Sequence, residues 1–120
     1  MQLLKEKDSE NLVNNFCESI KESEKDKILN QMDEMYEYIY GNISSYEFVT
    51  EGGGTQKIES GKYQYYNRYQ KFNVTTDTGA NYTVVFGIQY ICIDEPKKQG
   101  IYKIEISSDD ENKFVVGHNV

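Results

Sequence analysis

The stretch Met35-Tyr36-Glu37-Tyr38-Ile39-Tyr40-Gly41-Asn42-Ile43-Ser44-Ser45-Tyr46-Glu47-Phe48-Val49-Thr50 decides the fold. Before Gly41 the apolar side chains recur at helical spacing: Ile28, Leu29, Met32, Met35, Tyr36 and Ile39 stand at offsets 0, 1, 4, 7, 8 and 11. After Gly41 the period drops to two, and β-branched and aromatic residues take over. Gly41 itself falls where a helix wants a left-handed C-terminal residue. The opposite helical face carries Asp33, Glu34 and Glu37, so the helix buries one side and wets the other.

Working back toward the N-terminus, Ser23-Glu24-Lys25-Asp26 resembles a capping box and predicts the start of this helix. Ahead of it, Leu12, Val13, Phe16, Cys17 and Ile20 predict another helix over residues 9–22, capped by Asp8 or Ser9. Leu3 and Leu4 suggest one further short turn.

Working forward, residues 45–50 read as a short strand that ends at Glu51-Gly52-Gly53-Gly54. The glycines read as a hairpin tip, because they lack the Lys-Ser/Thr pair of a P-loop. Residues 63–76 form a long strand whose aromatic residues, at 63, 65, 66, 69 and 72, change parity between Tyr65 and Tyr66, which predicts a bulge or a bend. Thr76-Asp77-Thr78-Gly79 is a turn. In residues 82–92, Tyr82, Val84, Phe86, Ile88, Tyr90 and Cys92 form one apolar face, and Tyr102, Ile104 and Ile106 do the same in a last strand. The expectation is an α+β domain with N-terminal helices packed in the concave face of a strongly bent antiparallel sheet of four strands or slightly more. Residues 1–120 form a single domain, with 108–120 either a mobile tail or, through Phe114-Val115-Val116, an edge strand.

Composition narrows the function. The formal charge is −7, and residues 1–40 hold five Lys against ten Asp or Glu, a net of −5. Such a surface repels phosphate backbones, so nucleic acid is not an expected partner. A mean hydropathy of −0.74, with no long apolar run, predicts no transmembrane segment in this chain. Cys17 and Cys92 both sit on apolar faces, where free cysteine behaves as a small hydrophobe; a bond between them would need Cα atoms within about 7 Å. No metal site and no cofactor are expected.

Catalytic candidates are weak. His118, the sole histidine, lies three residues from the end, whereas a general base must be held within hydrogen-bond reach of its substrate. The carboxylate pairs Asp33/Glu37 and Glu18/Glu22 share helical faces but gain no third ligand, which is the pattern of a solvated surface. The eleven tyrosines, with no Trp, are the stronger signal, since tyrosine joins a large apolar body to a polar tip. Tyr36, Tyr40, Tyr65, Tyr66, Tyr82 and Tyr90, with Arg68 as the cation, form the candidate ligand-binding set at the open end of the sheet, competing with the plainer reading that these rings complete a small core.

The helix start Leu4-Lys5-Glu6-Lys7-Asp8, the helix end Met35-Tyr36-Glu37-Tyr38-Ile39, Glu51-Gly52-Gly53-Gly54, Thr76-Asp77-Thr78-Gly79 and Gly100-Ile101 carry a resemblance over residues 3–107. In its order of elements the chain resembles the cystatin-like cone of the nuclear-transport-factor-two-like superfamily. More narrowly, it looks like an uncharacterised domain family of gut-bacterial surface lipoproteins. The aromatic-rich concavity, without a convincing acid, base or nucleophile, predicts a non-catalytic binding or interaction domain; the resemblance implies that it is extracytoplasmic and lipid-anchored through a region absent from this chain. If Met1 is the native start, the location is instead cytoplasmic. Its partner is a small molecule or a protein. The alternatives are a small pocket enzyme of the isomerase or dehydratase kind, which needs a buried carboxylate of raised pKa, and a self-associating or protein-inhibiting module, monomer or homodimer.

Overall fold

The computed structural model describes residues 1–108 and 113–118. Three helices precede the sheet: α1 (Gln2–Lys5), α2 (Ser9–Asn14) and α3 (Glu18–Tyr38). The strands are β1 (Ile43–Gly52), β2 (Gln56–Glu59), β3 (Lys62–Thr76), β4 (Asn81–Cys92), β5 (Gly100–Ser108) and β6 (Lys113–Gly117), with a 3-10 turn at Pro96–Lys98 between β4 and β5. They form one open antiparallel sheet in the order β1-β3-β4-β5-β6, and β2 pairs with the same edge of β3 as β1 does.

The helices depart from the stripe reading in two places. The stripe of residues 9–22 is not one helix. α2 ends at Asn14, and the chain then runs beside β5, where Cys17 N–H donates to the Ile101 carbonyl and Ile101 N–H to the Asn15 carbonyl. Backbone pairing with the sheet thus replaces helical bonds there while leaving Phe16 and Cys17 buried. The expected boundary at Ser23-Glu24 is where two helical segments meet at a kink within Glu18–Tyr38: Glu24 has the non-helical φ −138° and ψ 19°. Asp8 caps α2, accepting from Asn11 N–H. Gly41 adopts φ +94°, and a Cβ there would lie 2.5 Å from the Asp77 carboxylate, so the exit from α3 requires glycine.

The core lies on one face of the sheet. Ile20, Ile28, Met32 and Met35 of α3, with Leu4, Leu12 and Val13, pack on Val74, Val84, Phe86, Ile104, Ile106 and Val116. Each such side chain contributes roughly 1.5–3 kcal/mol through burial. β2 takes no part in this core and is exposed throughout.

Six strands stand where the sequence predicts four or slightly more, and one of the two additions is the edge strand offered for Phe114-Val115-Val116. β6 pairs with β5 from Lys103↔Gly117 to Ser107↔Lys113, so Lys113–Gly117 forms an edge strand. Gln31 of α3 accepts from Gly117 N–H and ties that edge to the helix. The rest of the 108–120 expectation, at residues 109–112 and 119–120, lies outside the described residues. The glycine run is not a hairpin tip. It is a break between β1 and β2, and the tip is Ser60-Gly61, between β2 and β3. Gly53 and Gly54 pass so close over β3 that added Cβ atoms would lie 2.2 Å from the Tyr69 ring and 2.0 Å from the Asn67 carbonyl oxygen. Close approach to the neighbouring strand, not tightness of a turn, is what needs them.

At about 3.3 Å per residue the fifteen residues of β3 extend roughly 50 Å. That is the longest dimension of the molecule, 51 × 30 × 22 Å. The helices are too short to cover it, and the β2 end of the sheet projects beyond them.

Candidate functional site

On the helix-facing side, β3 alternates Val74, Phe72, Gln70, Arg68 and Tyr66. Val74 is buried and Phe72 packs on the core, but Arg68 and Tyr66 are half-buried and outside the core cluster. Register assigns their neighbours: Arg68 stands opposite Ile88 and Gln70 opposite Phe86.

Four bulges surround this point, each adding one unpaired residue; one is Tyr102, extra in β5 between Gly87↔Lys103 and Ile88↔Ile101. Val49 is extra in β1 between Phe48↔Phe72 and Thr50↔Lys71. Gln64 is extra in β3 between Tyr65↔Lys57 and Tyr63↔Ile58. Tyr90 is extra in β4 between Ile91↔Tyr66 and Gln89↔Asn67. A bulge shifts the alternation by one and re-aims the side chains beyond it. The Val49 bulge turns Glu51 to the face of Tyr46 and Phe48, and the Gln64 bulge brings Tyr63 beside Tyr66, with ring centroids 5.0 Å apart. Buried Gln89 fills the space at the β4 bulge, its amide donating to the carbonyls of Tyr66 and Ile91.

The result is a connected polar cluster. Arg68 Nη1 donates to the Tyr66 hydroxyl at 2.9 Å and Nη2 to the Glu51 carbonyl at 3.2 Å. Arg68 Nε is buried without a hydrogen bond, with the Glu51 carboxylate 4.0 Å away. Tyr90 donates to that carboxylate at 3.0 Å and accepts from Gln70 at 3.1 Å. The Tyr66 and Tyr90 rings lie 5.8 Å apart, and the guanidinium carbon is 5.9 Å from the Tyr66 ring centre. Hydrogen bonding to Tyr66 holds the Arg68 pKa above its ordinary value. Partial burial first, then the bond to Glu51, raises that of Tyr90.

Two hollows flank the cluster. One, of about 200 Å³, opens between the N-terminal helices and the sheet, lined by Met1, Leu3, Leu12, Phe86, Ile88 and Ile101 together with Asn15 and Gln70. The other, of about 310 Å³, lies at the β1–β2 break, where Tyr66, Asn67 and Arg68 line it with residues 53–56; of the cluster, only Gln70 lines the first.

Of the seven residues of the sequence-derived set, Tyr66, Arg68 and Tyr90 come together. Tyr65 points to the opposite face, where its hydroxyl accepts from Asn67. Tyr40 is 70% exposed and Tyr82 half-buried at the far end of the sheet, where the Tyr82 hydroxyl accepts from Tyr40 N–H. Eight residues of β4 separate Tyr82 from Tyr90, about 26 Å. Tyr36 lies against α2 rather than in the cluster; burial raises its pKa, and Ser9, Asp33 and Asp8 are its polar neighbours. Glu51 and Tyr63 are cluster members that strict alternation could not find, because the bulges that place them break that alternation; Gln70 stands in the plain alternation of β3 and is neither aromatic nor charged, so nothing in its type singles it out.

Chemical candidates elsewhere are few. Among the described residues no three His, Cys, Asp or Glu side chains gather as metal ligands. Cys17 and Cys92 are both free and buried. His118 bonds to Glu24 at the α3 kink, and the Glu24 pKa is lowered, first by that bond. No helix among the described residues is long and apolar enough to cross a membrane.

Residues 1–111 match the family model described as Domain of unknown function (DUF5104), and the chain belongs to that family. No curated protein matches it.

Proposed function

We propose that this member of the DUF5104 family is a non-catalytic binding domain, and that the Glu51–Arg68–Tyr90 cluster with its adjoining apolar hollow takes a small ligand. The gathering of four bulges around one guanidinium carries the reading, because bulges gather beside sites where a strand must re-aim its side chains. An apolar cleft with a few convergent polar groups is the ordinary form of a small-molecule site.

The isomerase or dehydratase alternative needs a carboxylate of raised pKa in the cleft. Glu24 and Glu105 are instead held below the ordinary carboxylate range, and both lie outside it. A self-associating module is favoured by one observation: β1 is an open ten-residue edge that exposes Phe48 and Val49. Sedimentation as a single species at high concentration removes that reading.

We also propose a cystatin-like, nuclear-transport-factor-two-like fold, supported by the order of elements, and an extracytoplasmic, lipid-anchored location, supported by the likeness to lipoprotein domains. Membrane fractionation of the native host tests the location.

The binding reading is tested by 15N–1H NMR with a small-fragment mixture. Shifts clustered at Gln70, Ile88, Tyr90 and Ile101 are the expected outcome. Fragments that bind elsewhere, or not at all, remove it.

A further inference from the structure

We propose that the ligand class of this site is a small carboxylic acid with a short apolar body, the body lying in the hollow under α1 and α2 and the carboxylate on Arg68. The inference rests on the small-ligand reading above and adds the chemistry of recognition.

A guanidinium carries five N–H donors in a planar fork. In Arg68 two are used, on the Tyr66 hydroxyl and the Glu51 carbonyl, both from the η nitrogens. The Nε–H is buried without an acceptor in hydrogen-bond range. A donor without an acceptor is unsatisfied, so an acceptor delivered to it gains more than one delivered to a group already hydrogen-bonded. The group that fits Nε and an η nitrogen together is a planar carboxylate, bound through two parallel hydrogen bonds.

The chain's own Glu51 occupies that position imperfectly. Its carboxylate stops 4.0 Å from Nε and takes its hydrogen bond from Tyr90 instead. Glu51 marks where a carboxylate is attracted without completing the fork, and a ligand carboxylate supplies the missing geometry while Tyr90 keeps Glu51 aside.

Register places the rest of the ligand. Ile88 lies directly across from Arg68 and Phe86 across from Gln70, and both line the 200 Å³ hollow with Leu3, Leu12 and Ile101. Arg68 itself does not line that hollow, so the hydrocarbon chain reaches it by crossing from Arg68 to Ile88, its register partner on the same face. The volume is below the roughly 300–1,000 Å³ of sites for drug-sized ligands, which restricts the body to a few carbon atoms.

Titration calorimetry of the native chain with hexanoate, hexanamide and hexylammonium tests the assignment. Hexanoate is expected to bind at least about tenfold more tightly than hexanamide, since its pair with the guanidinium is charge-assisted, and hexylammonium not to bind. Arg68→Gln is expected to erase the difference between acid and amide, and Ile88→Trp to weaken both by filling the hollow. Equal binding of acid and amide, or preference for the amine, overturns the carboxylate class while leaving the small-ligand reading intact. Silence of all three, with fragment shifts at Gln70 and Ile88 still seen, overturns the class alone; silence in both experiments overturns the reading beneath it.

Discussion

Gly53 and Gly54 are where a single atom decides the shape of the site. Gly54 has φ +82°, and its Cβ position lies 2.0 Å from a backbone oxygen that cannot move aside. Gly54→Ala is expected to lose more than about 2 kcal/mol by urea denaturation, from left-handed strain plus collision. Gly61→Ala, at φ +77° with nothing within 4 Å, is expected to lose only about 1 kcal/mol. Equal losses would mean that the β1–β2 break does not press on β3.

Glu105 provides a second residue-scale test, on the opposite face of the sheet. Burial works against its charge, but hydrogen bonds from Lys113 and Lys103 outweigh that and leave its pKa below the ordinary value of 4.5. Those contacts are 3.0 and 3.1 Å long. The folded chain therefore binds fewer protons than the unfolded one. The stabilisation is complete above the unfolded carboxylate pKa and is lost as pH falls through the lower folded value. Glu105→Gln is expected to flatten the acid limb of the stability profile between about pH 5 and pH 2, read as urea midpoints, and to leave the shape above about pH 6 unchanged.

Elements differ in how far their residues disclose them. The stripe Ile28, Met32, Met35 predicts α3 because its one apolar face has one partner, the sheet. The alternation Val84, Phe86, Ile88 predicts β4 for the same reason. Phe16 and Cys17 fit a helical stripe yet sit in a segment that pairs with β5, since periodicity reports which side chains are buried and not which backbone partner the chain takes. β2 escapes because all four of its residues are exposed, leaving no burial pattern to read. Glu51 escapes because the Val49 bulge reverses parity shortly before it. The candidate site is thus legible as tyrosines and one arginine, and the parity change at Tyr65-Tyr66 announces an irregularity in β3 close to the Gln64 bulge, whereas the bulges at Val49, Tyr90 and Tyr102 leave no such mark. The element scale makes its own prediction. Met32→Ala, at a fully buried position, is expected to cost about 2–5 kcal/mol. Ile58→Ala, half-exposed on β2, is expected to change stability by no more than about 0.5 kcal/mol. A large loss at Ile58 would mean that the projecting end of the sheet is part of the cooperative core.

At the scale of the whole molecule, the mismatch between a sheet about 50 Å long and helices that reach only part of it is what leaves the Arg68 end open. A domain with longer helices would bury Tyr90 and Ile88 as core. Here the same residues become the wall of a hollow and the rim of a cluster. The net charge of −7 sets Arg68 in a largely acidic molecule, so recognition of an anion there depends on local geometry rather than on the overall field.

The most direct measurement is an isotope-filtered NOE experiment on the labelled chain with unlabelled hexanoate. The terminal methyl of the ligand is expected to show cross-peaks to Leu12, Phe86 and Ile101, and the methylene beside the carboxylate to Ile88. Cross-peaks from the methyl to Phe48, Val49 or Ile58 instead would place the ligand on the exposed edge, and would contradict a cleft built where the helices stop and the sheet goes on.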